Sequence, residues 1–198
     1  MKRKVFFLLT VLLLSAGTLN LSAATQSKTT NATTTFLAGA LTLNSVPATF
    51  DFGSNQITTS PVVATLAAGT YTVSITDLRT TVNGYSVTVS APKLTSTTSH
   101  TLDGSNIQMK NGTAALIGTV NPSIIAPTVS QSFYVDQVDG SGNSIPTKVI
   151  TAANAPLNGL LQWNVNWTGA NVIMTVQPGE AYAEKYNTTI TWTLSDTP

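Results

Sequence analysis

The chain runs to 198 residues, 42% hydrophobic and only 9% charged, with nine basic and eight acidic side chains for a net charge of +1. It contains no cysteine, which excludes disulfides, zinc sites built on thiolates and a lipid-modified cysteine. The basic residues are dispersed rather than clustered beyond the first four positions, so no nucleic-acid partner is expected.

The N-terminus carries Lys2, Arg3 and Lys4, then an apolar run over residues 5–14, then Ser22-Ala23-Ala24. Positive residues, a short apolar stretch and small residues together predict a secretory signal over residues 1–24, cleaved on export. The run is shorter than the roughly 20 apolar residues a membrane span needs. Cleavage leaves six basic against eight acidic residues, so +1 becomes −2. Residues 25–39, rich in Thr, Ser and Asn, predict a flexible leader. Residues 40–198 predict a single domain, and a chain of that size can bury roughly 70% of its unfolded surface without disulfides.

Alternation with a period of two predicts strands over 40–46, 57–66, 71–75 and 85–89. The same signal continues over 107–109, 114–119, 131–138, 147–151, 161–167, 172–176 and 188–194. Between them lie turn formers such as Gly53, Asn83-Gly84, Asn111-Gly112, Asp139-Gly140 and Pro178-Gly179. Residues 95–100 predict an exposed loop. Short strands with a turn about every ten residues define an all-β class, an antiparallel sandwich or barrel-like single domain.

Catalytic constellations are hard to assemble. His100 is the only histidine, and although Asp103 is near, no Gly-x-Ser-x-Gly elbow supplies a nucleophile. Glu180 and Glu184 are the only glutamates, and no spacing among Asp51, Asp77, Asp136 and Asp139 favours a glycosidase pair. The stretch 136–143 offers oxygen ligands but lacks the calcium-loop pattern, and Asp139-Gly140 reads as a hairpin turn. No enzyme, metal site or cofactor is expected.

Two aromatic sets remain. Trp163 and Trp167 share a strand face with Leu161 and Val165, opposite Gln162, Asn164 and Asn166. That face is either core or an exposed stacking platform. Trp192 shares a face with Ile190 and Leu194, opposite Thr189, Thr191 and Thr193, which predicts an inward tryptophan.

The closing stretch YNTTITWTLSDTP resembles the terminal motif of the WxL domain of Gram-positive surface proteins, with Trp192-Thr-Leu194 as the Trp-x-Leu and Asp196 in its usual ending. Asp77, Arg79, Gly84 and Tyr85-Ser-Val87 fall where that family has its first motif, with Tyr85 and Val87 in place of Trp and Leu. The resemblance implies non-covalent attachment to the cell wall, with peptidoglycan as ligand. It also implies assembly with larger WxL proteins and a membrane-anchored WxL-interacting protein. A structural subunit that self-associates or adds a strand to a partner sheet is the alternative. Tyr85, Trp163 and Trp167 are the expected wall contacts, Asp77 and Arg79 a structural pair, and Trp192 and Leu194 largely structural. With no sortase motif, lipobox or C-terminal membrane helix, the domain itself is expected to be the anchor.

Overall fold

Alternating residues become strands here because Val, Ile, Thr and aromatic side chains suit a pleated surface buried on one face. The computed structural model describes residues 27–79, 83–103, 106–118 and 123–198. The signal expected over 1–24 lies outside the described residues, as do 80–82 of the proximal motif stretch and Thr119. Residues 27–36 carry no regular structure and are exposed. Leu37–Pro198 forms the unit described below.

Its architecture is all-β and sandwich-like, with every strand pairing antiparallel. The first sheet runs β1 (Leu41–Ser45), β3 (Thr70–Asp77), β11 (Leu161–Thr168), β7 (Thr113–Leu116). A second runs β14 (Thr191–Ser195), β4 (Tyr85–Ser90), β10 (Thr147–Ala152), β8 (Thr128–Val129). The third runs β2 (Val62–Thr65), β12 (Val172–Val176), β6 (Asn106–Lys110), β9 (Ser132–Tyr134). A small pair, β5 (Thr95–Ser96) and β13 (Tyr186–Asn187), completes the set.

The inward positions of these sheets meet in one core. Val73 and Ile75 of β3, Val165 and Trp167 of β11, Val87 and Val89 of β4, and Ile107 and Met109 of β6 are all buried within it. A 3-10 turn, Gly169–Asn171, carries the chain from β11 to β12. A Cβ at Gly169 would collide with the carbonyl oxygen of Ala67, so only glycine allows the two backbones to approach.

Several strands are shorter than their alternation predicts. The 57–66 run keeps only β2, and 131–138 keeps only β9. The 46–61 connection is irregular instead, beyond the usual loop limit of about 12–15 residues. The expected loop at 95–100 opens with β5, whose Ser96 is buried and pairs with Tyr186. A two-residue strand has no period to read.

Candidate functional site

The two motif stretches lie side by side. β14 pairs with β4 so that Trp192 is opposite Val89 and Leu194 is opposite Val87. Where they converge, Arg79 grips Asp77 with Nε to Oδ1 at 2.9 Å and Nη2 to Oδ2 at 2.8 Å. The same Nη2 donates to the Gly84 carbonyl oxygen at 2.7 Å, fixing the entry to β4, where Gly84 takes a positive φ of 65°. The bond from Asp77 raises the Arg79 guanidinium above its ordinary pKa against the opposing effect of burial, and the Asp77 and Asp196 charges add to it. Ser86 Oγ donates to the Thr197 carbonyl at 2.7 Å, tying the Ser195-Asp196 ending to β4.

The three aromatic residues expected at the wall are core residues. Tyr85 and Trp167 are 0% exposed and Trp163 is 5% exposed. Trp163 Nε1 donates to the Leu160 carbonyl at 2.8 Å. The Tyr85 hydroxyl reaches the Gly159 carbonyl at 3.4 Å, and burial pushes it well above the usual phenol range, with Asp77 adding to the effect. A sugar can stack only on an open ring face, so direct contact through these three buried rings is corrected. The reason is packing: their faces of β4 and β11 turn into the protein interior rather than to solvent.

Trp192, on the edge strand β14, is half-buried and packs against the core, with Thr191 and Thr193 exposed on the other face. Its ring packs against Trp167, with centroids 6.1 Å apart, and Trp167 in turn meets Phe133 edge-on at 6.1 Å. Leu194 is also half-buried, whereas Val87 is fully buried.

Trp192 lines an open cleft of about 1410 Å³. Its walls are the irregular segment 47–57 and the stretch 181–190 that carries β13, and core residues including Ile107, Met174 and Val176 form its apolar lining. At the rim, Tyr182 is 56% exposed and stacks on His100, with centroids 3.9 Å apart and planes 16° apart. Glu184 Oε2 accepts Thr98 Oγ1 at 2.7 Å and lies 3.2 Å from His100 Nδ1. Hydrogen bonds from Ser96, then Thr98, then His100 hold the Glu184 carboxyl at about 2. The Tyr186 hydroxyl accepts the Tyr182 N–H at 2.9 Å, and Thr188 Oγ1 donates to the Pro92 carbonyl at 2.7 Å.

This rim was not legible in the sequence, because His100 and Glu184 are 84 positions apart and neither sits in a recognisable motif. It is not arranged as a hydrolytic relay. Thr98 Oγ1 lies 3.1 Å from the same His100 Nδ1 that faces Glu184, whereas a triad sets nucleophile and carboxylate on opposite ring nitrogens. Among the described residues, no group of three or more His, Asp or Glu side chains could hold a metal ion. In the 136–143 stretch, Asp139 Oδ1 accepts the N–H groups of Ser141 and Asn143 at 2.8 and 2.9 Å, closing a hairpin turn.

A strand-built frame with an aromatic-lined cleft defines a binding module. The WxL domain profile, described as surface cell wall-binding, matches residues 22–198, nearly the whole sequence. The chain belongs to the WxL domain family, whose members are surface proteins that bind the cell wall. No curated protein and no solved structure matches it significantly. Among the described residues, no helix is long and apolar enough to cross a membrane.

Proposed function

We propose that the protein is a non-catalytic adhesion module, exported after loss of residues 1–24, that holds peptidoglycan non-covalently in the cleft beside Trp192. The observation that carries this reading is the cleft itself. At about 1410 Å³ it exceeds the roughly 300–1,000 Å³ of small-molecule pockets and suits a length of polymer. Tyr182 and the open side of Trp192 offer ring faces for sugars, and the hydroxyls of Thr188 and Thr189 offer hydrogen bonds nearby. Trp167 supports Trp192 from within the core. Asp77 and Arg79 fix the entry to β4, and Ser86 ties the chain's ending to that strand.

The test is sedimentation with purified peptidoglycan stripped of teichoic acid. Tyr182→Ala should lose most of its retention while its unfolding midpoint stays at the wild-type value. Retention equal to wild type in both Tyr182→Ala and Trp192→Ala would move the grip out of the cleft.

A second reading has its own support. β14 is an outer strand, so its free edge can add to a neighbouring sheet, whether in a second copy, a larger WxL protein or a membrane-anchored interacting protein. Sedimentation velocity over a dilution series separates the two. Self-association without any wall, lost on Thr193→Pro, supports assembly through that edge.

A further inference from the structure

Lys93 and Asp136 face each other inside the protein, and neither lines the cleft. The Asp136 side chain is 0% exposed and that of Lys93 14% exposed, with Nζ 3.5 Å from Oδ2. That is long for a charge-assisted bond, which closes to about 2.7–2.9 Å. The Asp77 pair uses a guanidinium and the Glu184 pair an imidazole, whereas the base here is a primary amine. An ammonium and a carboxylate withdrawn from water are costly to hold as charges.

The backbone around the pair is fixed. The Ala91 N–H donates to the Val135 carbonyl, and the Val135 N–H to the Ile107 carbonyl, both at 2.9 Å. Three segments are thereby laced together within two residues of the pair. The Ile107 N–H also donates to Asp136 Oδ1 at 2.8 Å, so the two carboxylate oxygens stand in different positions. Oδ1 is held by a backbone donor, while Oδ2 is turned to the amine. Ala91, Leu94, Ile107 and Val135, beside the pair in sequence or in this ladder, are all buried hydrophobic residues.

We infer that Lys93 Nζ and Asp136 Cγ become joined by an amide bond once the chain has folded, with release of one water. The ammonium passes one proton to Oδ2, leaving a neutral amine against a neutral acid and removing both buried charges. The amine lone pair then attacks Cγ, and negative charge gathers on Oδ1, where the Ile107 N–H already points. A second proton moves from Nζ to Oδ2, the Cγ–Oδ2 bond breaks, and Oδ2 departs as water. Of the three ammonium hydrogens, two leave in that water and one stays on the amide, so no oxidant or co-reactant is needed. The fold supplies the proximity, and burial keeps water from reversing the step. Lys93 and Asp136 lie 43 positions apart, so the bond closes a long loop in a chain without cysteine. The inference is independent of what the cleft holds.

The test is mass spectrometry of the folded, exported protein. Its intact mass, counted from its measured N-terminus, should fall one water short of the sequence mass. Fragmentation should find the Lys93 and Asp136 peptides linked. Lys93→Arg should restore the full mass, because a guanidinium keeps the charge but does not condense. Asp136→Asn should release ammonia instead of water and finish on the same mass and the same linked peptides as wild type. A wild-type protein at full mass overturns the inference. So does a water that is also lost from Lys93→Arg, or a loss that maps to Asp139-Gly140, where an aspartyl-glycine step can dehydrate on itself. Linkage mapping on wild type decides the matter even where Lys93→Arg fails to fold.

Discussion

At the scale of single residues, the three tryptophans occupy three environments although all sit in alternating strands. Trp167 has no exposed surface, so Trp167→Ala should cost about 3–5 kcal/mol, as for other core aromatic truncations. Trp192 is only half-buried, and Trp192→Ala should cost well under that, about 1–2 kcal/mol, in urea unfolding. Equal losses would contradict the edge position of Trp192. Alternation made it legible that Trp163 and Trp167 share a face, but not which face of the sheet is covered; that depends on what packs against the sheet, set by segments distant in the chain. Glu184 carries a second residue-scale prediction. Its folded pKa is depressed to about 2 from an ordinary value of 4.5, so its stabilising contribution is fully present above about 4.5. That contribution is lost as pH falls towards 2. The Tyr182 ring resonances should therefore show a transition centred near pH 2, and Glu184→Gln should remove it. A Tyr182 titration unaffected by Glu184→Gln would place its origin elsewhere.

At the scale of elements, the junction of β3 and β4 depends on one fork. The Asp77 side chain is 3% exposed and that of Arg79 15% exposed, so a buried carboxylate is capped by a partly covered guanidinium. Arg79→Ala would leave the Asp77 carboxylate uncompensated and should cost about 3–5 kcal/mol. Arg79→Lys keeps a charge but cannot reproduce the two bonds to Asp77 together with the one to Gly84, and should cost about 1.5–3 kcal/mol. Chemical denaturation of both variants checks this, and a loss below about 1 kcal/mol for Arg79→Ala would reduce the fork to an ordinary surface pair. The sequence carried the eight-residue strand β11 plainly, because a long run of alternating Trp, Val, Asn and Gln has few other readings. It carried β5, β8 and β13 not at all, since two residues hold no period and their pairing is set by segments distant in the chain.

At the scale of the whole molecule, the distribution of charge decides how the protein can adhere. Beyond the first four residues, six basic and eight acidic side chains are spread over the chain, and several are already engaged: Arg79 with Asp77, Lys93 with Asp136 and Glu184 with the His100 rim. An ionic grip on an anionic polymer needs clustered cations, and its strength falls steeply as salt is added. A grip made of ring faces, hydroxyls and amides has no such dependence, because dispersion and neutral hydrogen bonds are not screened by ions. Raising the salt from about 0.1 M to about 1 M shortens the screening length from about 10 Å to about 3 Å. Retention on teichoic-acid-free peptidoglycan should change less than about twofold across that range, since no set of phosphate-like contacts is being broken. The cosedimentation isotherm at each salt concentration measures this directly. A tenfold or greater loss would mean that scattered lysines such as Lys148 and Lys185 hold the wall, and that the neutral surfaces serve another purpose.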